Sequence, residues 1–198
     1  MAGLCGLALA GGTARRMGGG DKPLLEIGGR PMLAYVLEAL SAEAGSVAVS
    51  ANGDPARFAL FGVPVLNDGA FAGRGPLAGV LAGLGWAAAM GGSSLLTIPG
   101  DTPFAPHGLA DALEPPPAYA TSGRRAHYLV ALWPVVVREE LRRLLTTAHS
   151  PRAGDFAAII GMRAVAFPSD ARDPFMNVNT AEDLVAARSG RTAATGEA

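Results

Sequence analysis

Short apolar runs of strand length alternate along this chain with longer segments in which apolar residues recur at helical spacing. The short runs predict β-strands at residues 4–9, 46–51, 63–66, 94–98, 118–121, 129–133 and 163–167. The helical spacing predicts α-helices at 31–44, 76–90, 106–113, 134–147, 154–160 and 181–188, and proline stands at the first position of four of them. This alternation is typical of a three-layer α/β/α fold with a mostly parallel, mixed sheet.

Length and composition predict one compact domain over residues 1–188. A chain of 198 residues can bury a sizeable core, and 49% of its residues are hydrophobic while only 17% are charged. The remaining residues, 189–198, are small and polar, which predicts a disordered tail. The run Glu-Pro-Pro-Pro at 114–117 indicates a stiff connector within the fold rather than a boundary between domains.

Charge and hydropathy argue against several classes of protein. The formal net charge is -1 at pH 7, so no overall electrostatic attraction to nucleic acid is expected. No apolar stretch reaches the ~18 residues of a membrane span, and no basic region precedes the first apolar run. We therefore expect a cytoplasmic protein that binds neither nucleic acid nor membrane. The single cysteine, Cys5, lies in the first apolar run and is expected to be buried in a strand.

A glycine-rich loop lies between the first predicted strand and the first predicted helix, which is the layout of a phosphate-binding loop. Glycines at 11, 12, 18, 19 and 20 allow backbone amides to approach an anion. Fifteen of the sixteen basic residues are arginine, and the only lysine, Lys22, closes this loop after Arg15 and Arg16. A compact ammonium group among phosphate oxygens explains a lysine here. The alternatives are a flexible glycine linker and a lysine retained by chance.

The loop has neither the Walker spacing nor the Gly-x-Gly-x-x-Gly fingerprint of dinucleotide-binding proteins. Its sequence, Leu-Ala-Gly-Gly-x-x-x-Arg-Met-Gly-x-x-Asp-Lys-Pro at 9–23, resembles the signature of the sugar-nucleotide type of nucleotidyltransferases. The closest resemblance is to the molybdenum cofactor guanylyltransferases. Three further motifs of that family follow in the same order: Gly-Pro-Leu-Ala-Gly at 75–79, Pro-Gly-Asp-Thr-Pro at 99–103, and Asn-Val-Asn-Thr-Ala-Glu-Asp-Leu at 177–184.

The resemblance implies a Rossmann-like nucleotidyltransferase fold and the transfer of GMP from GTP to the terminal phosphate of molybdopterin or molybdenum cofactor, with release of pyrophosphate. It also implies Mg²⁺ as cofactor, and transient contact with cofactor-synthesis proteins or apo-molybdoenzymes. Catalysis is expected of Lys22, Arg16 and Asp101, with Asp101 as the metal ligand. The residues expected to bind the nucleotide and its metal are Leu9, Ala10, Gly11, Gly12, Lys22, Asn52, Asp68, Gly75, Asp101, Asn177 and Asn179.

Two other functions remain open at this point. The form Leu-Ala-Gly-Gly resembles the guanylyltransferases, whereas the related cytidylyltransferases typically carry Ala-Ala-Gly, but a CTP-dependent enzyme or another phosphorylated acceptor stays possible. A non-catalytic module of the same fold is the more distant alternative. Such a module would be expected to lose the loop cation or the metal aspartate, and both Lys22 and Asp101 are present.

Four candidate polar residues also have ordinary structural explanations. Asp101 follows a predicted strand, where a carboxylate can hold Mg²⁺ together with substrate phosphates, but it can also cap the next helix. Asn177 and Asn179 alternate on an extended segment and so project to one face, but Asn-Thr before acidic residues also reads as a helix start with Thr180 as cap. Asp68 matches a family position that contacts guanosine, and it is equally a common turn residue.

Other positions are less certain from the sequence. Glycines at 75, 79 and 83 share one helical face, which suits either close packing on the sheet or a surface for the base. Ser50 stands where guanylyltransferases often have asparagine, which puts that nucleotide contact in doubt. His127 precedes Tyr128, where the family usually has His-Pro, so any pterin site there, with Arg152 and Arg124 or Arg125 as anion partners, would have an altered shape. The histidines at 107 and 149 are expected at the surface.

Overall fold

The computed structural model describes residues 3–11, 21–148, 151–169 and 173–178, together with Asp183 and Val185. The strands in these ranges are β1 (Leu4–Leu9), β2 (Glu26–Ile27), β3 (Arg30–Pro31), β4 (Ser46–Ser50), β5 (Val65–Leu66), β6 (Ser94–Pro99), β7 (Ala118–Ser122), β8 (Arg125–Pro134) and β9 (Arg163–Phe167). The α-helices are α1 (Met32–Glu43), α2 (Pro76–Ala89), α3 (Leu109–Leu113), α4 (Arg138–Thr147) and α5 (Ala153–Ile159).

Seven of these strands form one sheet in the order β5-β4-β1-β6-β8-β7-β9. Neighbouring strands pair in parallel except that β8 runs antiparallel to both β6 and β7. A separate antiparallel pair is formed by β2 and β3. The predicted mostly parallel, mixed sheet is therefore confirmed.

Two apolar cores lie on opposite faces of the sheet. Successive side chains of a strand point to opposite faces, so Leu4 and Ala8 of β1 pack with α1 and α3, whereas Cys5 and Leu7 pack with α2, α4 and α5. These are the three layers expected from the sequence. Cys5 is buried, as expected, and burial raises the pKa of its thiol.

Helix α2 lies unusually close to the sheet because its inner face carries glycines. A β-carbon at Gly83 would overlap the Leu7 side chain and lie 2.9 Å from Cδ2 of Leu95, both in the core. A β-carbon at Gly79 would overlap the hydroxyl of Ser50 at the end of β4. Close packing on the sheet thus accounts fully for Gly83.

Two helix starts differ from the prediction. The helix expected from 106 begins only at Leu109, because Gly108 has a φ of 73° and the carboxylate of Glu43 accepts the amides of Leu109 and Ala110 at 3.2 Å each. The helix expected from 134 begins at Arg138. Pro134 instead ends β8, and residues 135–137 form a 3-10 turn.

For the elements predicted at 46–51, 63–66, 94–98, 118–121 and 154–160, the observed bounds differ from the prediction by at most two residues. For those predicted at 4–9 and 163–167, the observed bounds agree. Strand β8 begins four residues earlier than the predicted 129–133, because it pairs with β7 as a hairpin across a bulge. The predicted helix 181–188, apart from Asp183 and Val185, and the predicted tail 189–198 lie outside the described residues. Within the described part of the chain, none of the helices has the length and apolar character needed to span a membrane.

The close approach of α2 makes a prediction about stability. Gly83→Ala should lower the free energy of unfolding by about 1–2 kcal/mol, because overpacking a core outweighs the better helix propensity of alanine. Gly85→Ala is the matched control in the same helix, since a β-carbon there meets no atom within 4 Å. It should be neutral or raise stability by up to about 1 kcal/mol. Urea unfolding measures both, and equal stability of the two variants would contradict the packing argument.

Candidate nucleotide-binding site

A cavity of about 430 Å³ lies at the carboxyl ends of three neighbouring strands. Leu9 ends β1, Ser50 ends β4 and Pro99 ends β6. Strand β1 lies between the other two, and Leu9 pairs with both Ser50 and Pro99. This edge is where open α/β sheets bind ligands. The cavity is lined by Leu9, Gly11, Lys22, Pro23, Ser50, Asn52, Asp68, Gly73, Gly75, Pro76, Gly79, Pro99, Asp101, Leu129 and Asn177.

An ion pair between Lys22 and Asp101 lines one part of this cavity. Lys22 opens a 3-10 turn after the glycine-rich loop, and its ammonium group contacts Oδ2 of Asp101. The two side chains retain only 11% and 18% of their exposure, so both charges are largely removed from water. The structure thus joins two of the sequence-predicted site residues that are 79 positions apart.

The turn that carries Asp101 is fixed by backbone hydrogen bonds. The amide of Thr102 donates to the carbonyl of Pro99 at 3.0 Å, and the amide of Val178 donates to the carbonyl of Asp101 at 3.0 Å. The side chain of Asp101 does not cap α3, since Glu43 does so. The alternative interpretation of Asp101 as a helix cap is therefore wrong.

Asn177 is held beside Asp101. The hydroxyl of Thr102 donates to Oδ1 of Asn177 at 3.0 Å, and Asn177 lines the cavity. Among the residues that the structure describes, no group of three or more His, Cys, Asp or Glu side chains could hold a metal ion. One carboxylate and one amide oxygen nevertheless suit Mg²⁺, which usually takes one or two protein groups and completes its shell with substrate phosphates and water.

A second polar group, Asn52 and Asp68, lines another part of the cavity. These residues follow the paired strands β4 and β5, and they bond reciprocally: Nδ2 of Asn52 donates to Oδ2 of Asp68 at 2.6 Å, and the amide of Asp68 donates to Oδ1 of Asn52 at 3.0 Å. Asp68 also begins a 3-10 turn, as its alternative interpretation expected: its carbonyl accepts the amide of Phe71 at 3.0 Å, while its side chain makes no cap to that turn.

The carboxyl group of Asp68 lies in a partly desolvated environment. Burial raises its pKa, while hydrogen bonds from Asn52 and Ser50 act in the opposite direction. The hydrogen bond from Ser50, at the end of β4, thus favours the charged form of Asp68. Gly79 leaves room for the Ser50 hydroxyl at this point, so it serves both the packing of α2 and the shape of the cavity.

The remaining candidate residues divide into three groups. Leu9, Gly11 and Gly75 line the cavity, and Gly75 needs its φ of 83° just before α2 begins. Ala10 is buried, and its amide donates to the carbonyl of Ser50 at 2.8 Å. The others, Gly12, Arg15, Arg16, His149 and Asn179, lie outside the described residues.

A buried polar cluster, Ser122, His127 and Asp173, was missed by the sequence analysis except for His127. The Ser122 hydroxyl lies 2.6 Å from Nε2 of His127 and donates to Oδ1 of Asp173 at 2.7 Å. The same oxygen accepts the amide of Phe175 at 2.9 Å, which anchors the segment leading to Asn177. Burial lowers the pKa of His127; the Asp173 carboxylate opposes this and the Arg125 guanidinium adds to it.

Arg57 and its partner Asp21 were also missed. Arg57 belongs to a 3-10 helix at 55–61 that carries no recognisable motif, so no pattern in the sequence pointed to it. Its guanidinium pairs with Asp21, the residue before Lys22. Only the folded chain brings these two together.

This fold, with a paired lysine and aspartate in a cavity at the carboxyl edge of the sheet, defines an α/β protein whose cavity lies where such sheets bind ligands and has the size of a small-ligand site. Residues 6–158 match the family model of the MobA-like NTP transferase domain. The chain therefore belongs to the MobA-like NTP transferase family, and the resemblance carried by the four motifs is confirmed.

Individual relatives agree with this assignment. The molybdenum cofactor guanylyltransferase of Acidiphilium cryptum is 58% identical to this chain, over 92% of the chain and 93% of its own length. A nucleotidyl transferase structure from Methanothermobacter thermautotroptrophicus has a TM-score of 0.74 at 19% identity and covers 98% and 100% of the two chains. A Mycobacterium tuberculosis protein solved in complex with manganese has a TM-score of 0.66 at 17% identity and covers 95% and 99%. Both structures share the fold.

The buried cluster predicts how stability depends on pH. Folding lowers the pKa of His127 from its ordinary 6.5, so below pH 6.5 the unfolded chain binds the proton before the folded protein does. Stability should therefore fall as the pH drops from 6.5 toward the lower pKa of the folded state. Urea unfolding at a series of pH values should show a steeper loss in the native protein than in His127→Gln. The exposed His107→Gln is the control, and equal slopes in all three proteins would contradict the prediction.

Proposed function

We propose that this protein transfers GMP from GTP to the terminal phosphate of molybdopterin or molybdenum cofactor and releases pyrophosphate. The observation that carries the proposal is the Lys22–Asp101 pair in the cavity, in a chain that is similar over nearly its whole length to a protein named molybdenum cofactor guanylyltransferase. The cavity of about 430 Å³ is in the range of small-ligand sites. On this proposal the enzyme works in the cytoplasm and meets cofactor-synthesis proteins or apo-molybdoenzymes transiently.

The pair of Asn52 and Asp68 is the proposed site for the base. Guanine presents two neighbouring N–H donors on one edge, and a carboxylate can accept from both at once. Cytosine presents one donor beside acceptors, and an acceptor-only carboxylate opposes those acceptors. The reciprocal hydrogen bonds between Asn52 and Asp68, together with the hydrogen bond from Ser50 to Asp68, support GTP rather than CTP as the substrate.

Lys22 and Asp101 are the proposed site for the phosphates. Asp101 and the amide oxygen of Asn177 would hold Mg²⁺, which when bound supplies charge neutralisation to the phosphate oxygens. With Asp101 so engaged, the ammonium group of Lys22 is available to the triphosphate as a compact positive charge. Arg16, Gly12 and the other loop amides belong to the same proposed phosphate site.

Positioning and charge neutralisation supply most of the catalysis in this proposal. The acceptor is itself a phosphate and is already anionic at neutral pH, so no general base has to remove a proton from it. The residues have to hold the acceptor oxygen in line with the bond between the α-phosphorus and the leaving pyrophosphate. Asn179 is proposed to give a further oxygen to the metal or to hydrogen-bond a phosphate.

The phosphate role of Lys22 predicts a large loss of activity on substitution. Lys22→Ala should lower kcat/KM for GTP-dependent pyrophosphate release ~10²- to 10³-fold, as for other lost electrostatic contacts to a transition state. Lys22→Arg should recover little, because a planar guanidinium does not replace a compact ammonium group. Arg30→Ala removes an exposed cation paired with Glu38 and should leave the rate unchanged.

The assay measures pyrophosphate with Mg²⁺ and either GTP or CTP, with and without molybdopterin. Release that requires both GTP and the pterin supports the proposed reaction. Release with CTP alone would assign the protein to a cytidylyltransferase, and no release with either nucleotide would favour a binding module.

The base role of Asp68 predicts a change in nucleotide preference. Asp68→Asn replaces an acceptor-only carboxylate by an amide and should reduce the ratio of GTP to CTP in kcat/KM ~10-fold or more, the equivalent of one hydrogen bond to a charged group. Asp111→Asn, in the first turn of α3, is the control for the charge change. An unchanged ratio in Asp68→Asn would place the base elsewhere.

A further inference from the structure

Arg57 does not line the cavity, but it contacts Asn52, which does, and Asp21, which immediately precedes the cavity residue Lys22. One terminal nitrogen, Nη1, pairs with Oδ1 of Asp21, and the other, Nη2, donates to the carbonyl of Asn52 at 2.5 Å. The inner nitrogen, Nε, donates to the carbonyl of Asp54 at 2.9 Å. All three guanidinium nitrogens are therefore used, and they join a loop that follows β4 to the end of the glycine-rich loop.

One partner of Arg57 is next to the proposed phosphate site, and another belongs to the proposed base site. Asp21 immediately precedes Lys22, whose ammonium group contacts Asp101. Asn52 is bonded reciprocally to Asp68. Arg57 thus connects the residue next to the phosphate site with a residue of the base site.

The surroundings of Arg57 hold its side chain in one orientation. Its guanidinium carbon lies 5.0 Å from the ring centroid of Phe58, which is fully buried. The side chains of Arg57 and Asp21 retain 32% and 17% of their exposure, so this is a partly desolvated pair rather than a solvated surface pair. Gly53, which has a φ of 87°, lies between Asn52 and Asp54, the two loop residues whose carbonyls accept hydrogen bonds from Arg57.

We infer that Arg57 is a positioning residue that keeps the base site and the phosphate site at the separation required by one nucleotide. The inference rests on the proposed nucleotide site. If the two subsites are prealigned, binding of the base makes binding of the triphosphate effectively intramolecular. Loss of Arg57 should then lower the affinity for the whole nucleotide much more than the affinity for either of its halves. The reason is that the two subsites would have to be aligned during binding, which costs conformational entropy.

The test compares the nucleotide with its two fragments. Arg57→Met keeps an unbranched apolar stem at this position but removes the guanidinium group, and with it every hydrogen bond and the contact of that group with the Phe58 ring. Displacement of a fluorescent GTP analogue, with Mg²⁺ present, gives the affinities for GTP, guanosine and inorganic pyrophosphate. We expect the affinity for GTP to fall ~10- to 100-fold, and the affinities for guanosine and for pyrophosphate to fall by less than about 3-fold each.

Two further variants separate positioning from a general loss of structure. Arg143→Met, which removes an exposed arginine paired with Glu140, should change none of the affinities. Asp21→Asn should weaken GTP binding in the native background but should add little to Arg57→Met, because both changes break the same connection. Thermal unfolding of each variant checks that it is folded under the conditions of the assay.

The outcomes distinguish the inference from the function on which it rests. The inference is overturned if Arg57→Met leaves GTP affinity unchanged, if guanosine or pyrophosphate weakens as much as GTP, or if the two substitutions are additive. In those cases the nucleotide site itself stands, provided that Lys22→Ala and Asp68→Asn weaken GTP binding. If these two variants also bind GTP normally, the proposed nucleotide site is wrong and the role of Arg57 is wrong with it.

Discussion

The parallel pairing of β1 with β4 on one side and with β6 on the other is the constraint on which the rest of the site depends. Parallel strands all end at the same edge, so Leu9, Ser50 and Pro99 come to lie side by side. The loops that follow these three strand ends carry Lys22, Asn52 and Asp101. A cavity with polar side chains from distant parts of the sequence is the direct consequence of that pairing.

Polar contacts then fix the described residues of the loops at this edge. Among the described residues, every buried side-chain nitrogen and oxygen has a hydrogen-bond partner. The Lys22–Asp101 pair neutralises two charges that are mostly out of water. Asn52 and Ser50 instead stabilise the carboxylate of Asp68 by hydrogen bonds. Unpaired, any of these groups would carry a desolvation cost of about 1–3 kcal/mol or more. The described residues of the site are therefore held in place without a ligand, which suits catalysis by positioning.

The far side of the cavity is tied to the sheet by a different set of contacts. The cluster of Ser122, His127 and Asp173 anchors the segment 173–178 to the ends of β7 and β8. Further along that segment, Asn177 and Val178 bond to Thr102 and to the carbonyl of Asp101. The strand β8 makes this possible: because it runs antiparallel to both of its neighbours, it begins at the edge of the sheet where β6 and β7 end. His127 is thus part of the protein interior.

The sequence by itself determined the fold class, most element boundaries and the glycine-rich loop, and the motifs of a known family singled out Lys22, Asp68 and Asp101 as candidate site residues. These follow from local patterns, because strand and helix periodicity and short motifs are properties of neighbouring residues. Only the tertiary structure decided that Lys22 pairs with Asp101, that α3 is capped by Glu43, and that Arg57 joins two loops. Contacts of this kind depend on strand order and register, which bring together residues many positions apart and which no local pattern encodes.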